Sequence, residues 1–186
     1  MTKYLFLLCT LVILGSCEQS ESSDSTSSQA QDDSTENSNQ DLNNVEIDTT
    51  PRVTGIGGIF FFSTDVEKSK EWYINNLGLK TNPWGASFEF RNANDPSQIN
   101  YLQWSPFSDG NEYFAPSEKE FMINYRVYNL EALVKKMEAN GVTILDTMQT
   151  YDYGKFIHIM DNDGNKIELW EPVDSVFTAM GGPTTK

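Results

Sequence analysis

From Ile56 to Glu171 the chain runs the same course twice, and this repetition limits the folds open to it. Ile56–Phe62 is rich in β-formers, and its glycines suggest close backbone approach. Asp65 is placed to cap a helix over Val66–Asn76, where Val66, Ser69, Trp72 and Tyr73 recur at helical spacing; Gly78 ends it. Leu79–Trp84, Ala86–Arg91 and Ile99–Ser105 follow as short strands, separated by turn chemistry around Pro83-Trp84-Gly85 and over Asn92–Gln98. The second round opens with the strand Phe121–Val127. A helix then carries Leu130, Leu133, Val134 and Met137 on one stripe and closes at Asn140-Gly141. Val142–Thr147, Lys155–Met160 and Lys166–Glu171 are the last strands, with Asp161–Gly164 turning the final hairpin. The order βαβββ-βαβββ predicts an α+β domain of two modules that complete one core together.

Only this part of the chain can build a core. All four tryptophans (Trp72, Trp84, Trp104, Trp170) lie in it, and both cysteines, Cys9 and Cys17, lie before it. No disulfide therefore staples the domain, and no thiol is available there as nucleophile or metal ligand. Residues 51–186 carry eighteen acidic and twelve basic residues, with no basic cluster, which argues against nucleic acid as a partner. The domain is expected over 51–174, with a C-terminal tail over 175–186.

The N-terminus reads as an address. Met1-Thr2-Lys3 gives a short positive start, and Tyr4–Leu14 is an apolar run of signal-peptide length, short for a bilayer span. It ends in Leu14-Gly15-Ser16-Cys17, which resembles the lipobox of bacterial lipoproteins. The resemblance implies a signal peptide over 1–17, lipid (palmitate among it) on Cys17, and a cell-envelope protein facing the periplasm or the surface. Residues 18–50 hold nine acids, no Lys or Arg, and almost no large apolar group. Such a segment cannot offset its ordering entropy by burial, so a disordered tether reaching on the order of 30 Å is expected.

In the second module, Asp161-Asn162-Asp163-Gly164 leads into Asn165-Lys166-Ile167-Glu168-Leu169-Trp170, a tight turn that presents one carboxylate at a fixed step. Together with Asp65-Val66-Glu67-Lys68-Ser69, Trp72-Tyr73 and Leu77-Gly78, and with Val127, Leu130 and Gly141-Val142, this motif resembles the vicinal oxygen chelate superfamily. Its members include glyoxalase I, bleomycin-resistance proteins and extradiol dioxygenases. The likeness spans about residues 54–172. It implies a curved, eight-stranded mixed sheet around a central cleft, with a divalent metal held by the first, fourth, fifth and eighth strands. Carried over, those positions fall on Gly58, near Gln103, on Met122 and on Glu168. Glu168 suits a hard divalent metal; Gly58 has no side chain, and a Met thioether is a poor partner, so the set is incomplete.

Strand parity places Phe60, Phe62, Asn124, Arg126, Lys166 and Trp170 on the cleft side with Glu168. A three-residue loop at Asn162–Gly164 would set His158 directly opposite Glu168, as an acid/base pair or a held imidazolium. The candidate site is therefore Glu168 and His158 as catalytic groups, with Phe60, Gln103, Asn124, Arg126 and Trp170 as ligand contacts. This suits a small anionic or polar-aromatic ligand. Three functions compete. The first is a small-molecule binding module without the usual complete metal site, monomeric or homodimeric. The second is a lyase, isomerase or dioxygenase-type enzyme using Glu168 with an atypical divalent metal or acid/base site. The third is a non-catalytic envelope interaction protein. The fold hosts many chemistries, so the site has to decide.

Overall fold

The computed structural model describes residues 48–186. The apolar leader, the lipobox and nearly all of the tether lie outside the described residues. The first module comprises β1 (Arg52–Ser63), α1 (Val66–Leu77), β2 (Thr81–Asn82), β3 (Gly85–Arg91) and β4 (Ile99–Ser108). A single 3-10 turn, Glu112–Phe114, lies in the connection between modules. The second module comprises β5 (Phe121–Tyr128), α2 (Leu130–Ala139), β6 (Thr143–Ile144), β7 (Gln149–Tyr151), β8 (Gly154–Met160) and β9 (Lys166–Pro172), and is followed by α3 (Asp174–Met180).

The repeat is visible in the sheet. Its order is β2-β3-β4-β1-β5-β9-β8-β6, with β7 paired to β8. Each module thus lays its strands outward from its own first strand, and the two first strands, β1 and β5, pair antiparallel at the centre. β1 with β4 and β5 with β9 are parallel, each reached by a crossover that includes a helix. The helices begin where local chemistry starts them. Asp65 accepts the Lys68 N–H at 3.1 Å, and Gly78 closes α1 in the left-handed region at φ 69°. At α2, Asn129 caps Ala132, and the Glu171 carboxylate accepts the N–H groups of Asn129 and Leu130 at 3.1 and 3.2 Å. The end of β9 thereby fixes the start of α2.

Alternation along the strands divides core from cleft. Val127, Ile157, Ile159 and Leu169 face α2 and pack with Leu130, Leu133, Val134 and Met137. The residues between them, Asn124, Arg126, His158, Glu168 and Trp170, form a buried polar and aromatic face on the other side. A second cluster joins Phe60, Phe114 and Met122 with Phe62 and Phe107.

The structure departs from expectation at the outer strands. Val142–Thr147 pairs as a strand only at Thr143–Ile144, and β7 adds a ninth strand on the same partner, β8. Leu79–Trp84 shrinks to Thr81–Asn82. The segment read as a tail has structure of its own. α3 sets Phe177 against the rings of Tyr101, Tyr153 and Trp170. Thr185 then bonds to the backbone of Ser87 and Glu89 at 2.8 and 3.1 Å. It takes up strand edge that the two-residue β2, which pairs only Gly85 and Ala86, leaves open.

Candidate functional site

Five residues line up across the sheet. Gln103 on β4 and Asn124 on β5 both register with Gly58 on β1; Asn124 pairs with Glu168 on β9, and Glu168 with His158 on β8. The hairpin that sets the last pair closes as the loop length requires. The Asp161 N–H meets the Asn165 carbonyl at 3.1 Å, and the Asp161 carboxylate accepts the N–H groups of Asp163 and Asn165. Met122 is not in this row. It stands opposite Phe60, fully buried in the aromatic cluster, so the fifth-strand position level with Glu168 belongs to Asn124. The register shift between Ile56 and Gly58 decides the alignment.

Glu168 is 4% exposed and saturated with donors. One oxygen accepts from Asn124 Nδ2 at 2.6 Å. The other accepts the Tyr113 hydroxyl and His158 Nε2, the latter at 3.1 Å. His158 turns its second ring nitrogen to Asp146 at 2.6 Å, and its own N–H also goes to that carboxylate at 2.9 Å. Two carboxylates on two ring nitrogens require both nitrogens to donate, which is the imidazolium form. Burial works against that charge, but the bonds to Glu168 and Asp146 outweigh it and hold the His158 pKa above its ordinary value. Burial, with the Glu168 charge behind it, raises the Tyr113 phenol well above the usual range. Lys166 is pulled down, chiefly by burial, against the attraction of Asp146 and Glu168. Its ammonium goes to the carbonyls of Tyr113 and Ala115 at 2.7 and 3.1 Å and ties the inter-module connection over this end of the sheet.

On the other side of Glu168 a cavity of about 460 Å³ opens, lined by Gly57, Ser87, Gln103, Asn124 and Glu168 among apolar groups. Those apolar groups include seven aromatic rings, among them Phe60, Phe156 and Trp170 on the sheet and Phe177 on α3. Phe156 and Trp170 stack nearly parallel, 5.8 Å apart. Gly57 lets the wall close. A Cβ there would lie 2.1 Å from Asn124 Oδ1 and 2.9 Å from the Trp170 ring. At Gly58 a Cβ would lie 2.6 Å from the Phe60 ring. The first-strand ligand position therefore lacks both a side chain and the room for one.

Of the expected site residues, Phe60, Gln103, Asn124, Glu168 and Trp170 line the cavity. His158 lies behind Glu168, away from the cavity lining. Arg126 is turned elsewhere: its guanidinium bonds to Asp174 at 2.5 Å and to the Tyr101 carbonyl at 3.0 Å, and lies 5.1 Å over the Trp170 ring. Tyr113 and Asp146 belong to this hydrogen-bond network, and sequence reasoning passed over them. Asp146 follows directly from β6, where the Leu145 N–H bonds to the His158 carbonyl and continues the β6–β8 pairing. Tyr113 carried no signal, because it arrives from an irregular connection.

The residues present do not fit the metal that the fold implies. Gln103 is spent on Ser87, Ser105 and the Trp104 carbonyl, and Asn124 directs its amide nitrogen at Glu168. Among the described residues no three His, Cys, Asp or Glu side chains are grouped to hold a metal ion. One carboxylate, already accepting three donors, is short of the three protein ligands a catalytic centre keeps.

No family model matches the chain, and no curated protein does. Solved structures do. A variant of methylmalonyl-CoA epimerase from Streptomyces coelicolor in complex with 2-nitronate-propionyl-CoA aligns at 14% identity and TM-score 0.50, over 66% of this chain and 99% of its own. Methylmalonyl-CoA epimerase from Mycobacterium tuberculosis aligns at 20% identity and TM-score 0.46, over 68% and 93%. A glyoxalase/bleomycin resistance protein/dioxygenase superfamily member from Vibrio splendidus aligns at 13% identity and TM-score 0.40, over 66% and 99%. The domain has the vicinal oxygen chelate fold.

Proposed function

We propose that this domain binds a small, largely aromatic molecule without a metal, and that lipid on Cys17 holds it at a membrane. The observation that carries the binding reading is the cavity itself. Its volume falls within the range of small-molecule pockets, and it sets a few convergent polar groups among aromatic walls. The donor set around Glu168 argues against metal-assisted chemistry there, because its oxygens are taken by Tyr113, His158 and Asn124. The Asp146–His158–Glu168 chain favours a second reading, an acid/base lyase or isomerase, in which carbon-bound protons of the bound molecule exchange in deuterated water.

A ligand-detected NMR screen of mono- and bicyclic aromatics against the purified protein tests the binding. Binders are expected, with affinities unchanged by EDTA. Trp84→Ala at the cavity rim, where the residue is 76% exposed, is expected to weaken them several-fold with no loss of thermal stability. Binding that appears only after Mn²⁺, Ni²⁺ or Zn²⁺ is added overturns the metal-free reading.

The anchor rests on the leader over residues 1–14 and the Leu14-Gly15-Ser16-Cys17 motif that ends it. Cys17→Ala is expected to move the protein from the membrane to the soluble fraction and to abolish incorporation of labelled palmitate. Unchanged membrane association in that variant removes the anchor.

A further inference from the structure

We propose that the cavity selects a non-acidic aromatic molecule whose polar end is a hydrogen-bond donor, an O–H or N–H group, set against Asn124 Oδ1. This rests on the binding reading above and goes beyond it to the ligand's chemistry.

Asn124 is 2% exposed, and its amide has only one workable orientation. Its Nδ2 must donate to the Glu168 carboxylate, which has no hydrogen to give in return. The carbonyl oxygen is therefore aimed away from Glu168, into the space above Gly57. It is buried there with no hydrogen-bond partner. Gly57 and Asn124 both line the cavity, and the orphaned acceptor is packed between them, just behind its wall. A buried acceptor without a donor is costly, and a ligand O–H or N–H would relieve it.

The rest of the lining points the same way. It contains no Lys, Arg or His, and its one charged group is Glu168. Arg126, the cation that an anionic ligand would need, is held by Asp174 and Tyr101 outside the cavity lining. Lys166 is turned to the carbonyls of Tyr113 and Ala115. A carboxylate or phosphate entering this cleft would lose its water and meet another carboxylate. Of the ligand types expected from the sequence, this lining favours the polar-aromatic one over the anionic one.

Four naphthyl probes of similar shape test this by calorimetry on the full chain at neutral pH: 2-naphthylmethanol, 2-naphthylamine (a neutral N–H donor there), 2-methylnaphthalene and naphthalene-2-carboxylate. The alcohol and the amine are expected to bind about tenfold tighter than the methyl compound, the worth of one satisfied hydrogen bond. The carboxylate is expected to bind at least about a hundredfold more weakly than the alcohol. Equal binding of all four overturns this inference and leaves the binding reading intact, as does a carboxylate that binds best. Binding by none of the four, with the protein folded by circular dichroism, overturns both.

Discussion

Replacing Arg126 with alanine is expected to cost about 3–5 kcal/mol of folding stability. Arg126 and Asp174 are 5% and 7% exposed, and their 2.5 Å contact is the main polar tie between the sheet and α3. Removing the guanidinium leaves a buried carboxylate with only the Gln98 amide at 3.3 Å, frees the Tyr101 carbonyl and bares the Trp170 ring. Asp174→Ala strands the cation instead and should cost a similar amount. The two single costs should not add. The double variant Arg126→Met/Asp174→Leu removes both charges, keeps most of the volume, and is expected to be more stable than either single variant. The pair matters because α3 depends on its contacts with the sheet. It spans seven residues and starts at Val173 with no side-chain cap, too short to persist by itself. Phe177 and Met180, which it carries, line the cavity. The single variants should therefore weaken ligand binding as well. Urea unfolding of the four proteins compares these costs; single-variant costs below about 1 kcal/mol would mean that the pair is effectively solvated.

Much of the fold was legible because it rests on local, periodic signals. The caps at Asp65 and Gly78, the stripe from Leu130 to Met137 and the Asp161–Gly164 turn each state a local geometry, and two rounds of them specify the sheet. The pairing of His158 with Glu168 followed from counting loop residues, since a hairpin of known length fixes its register. The outer strands were less legible. β6 and β2 hold two residues each, and nothing in local propensity says how much of an extended segment finds a partner. α3 was invisible for a related reason: its anchor is Arg126, 48 residues earlier in the chain.

The site was legible in its residues but less so in their directions. Parity correctly grouped Asn124, Arg126 and Glu168 on one face, yet it could not say that Arg126 bends to Asp174 while Asn124 bends to Glu168. Long side chains choose partners by tertiary contact. That choice leaves a cleft, expected to suit a small anionic or polar-aromatic ligand, with no cation in its lining. The bulge at Gly57–Gly58 was hidden likewise. Paired glycines in a strand suggest close approach, but what approaches, Asn124, Trp170 and Phe60, is set by the tertiary fold.

Glu168→Leu is expected to destabilise the protein by about 3 kcal/mol and to flatten its dependence on pH. The carboxylate satisfies Tyr113, Asn124 and His158 at once. Without it the Tyr113 hydroxyl can turn toward water, since Tyr113 is 37% exposed, but the Asn124 amide is too deeply buried to find another partner. His158 can shed its proton and keep the bond to Asp146, so its loss appears in the pH profile. In the wild type the folded-state pKa of His158 is raised, so the native state binds that proton more tightly than the unfolded chain. The resulting stability is fully present below the ordinary His pKa of about 6.5 and is lost as pH rises through the higher folded value. The groups facing the imidazole are Asp146, Glu168, Tyr113 and Lys166. Tyr113 is raised out of this range. Urea unfolding of the wild type from pH 6 to 9 should therefore show stability falling toward the alkaline side. In Glu168→Leu, where Asp146 alone supports the charge, the fall should be shallower and should begin at lower pH. A wild-type profile that is flat or rises across that interval would mean that the imidazole stays neutral between its two carboxylates.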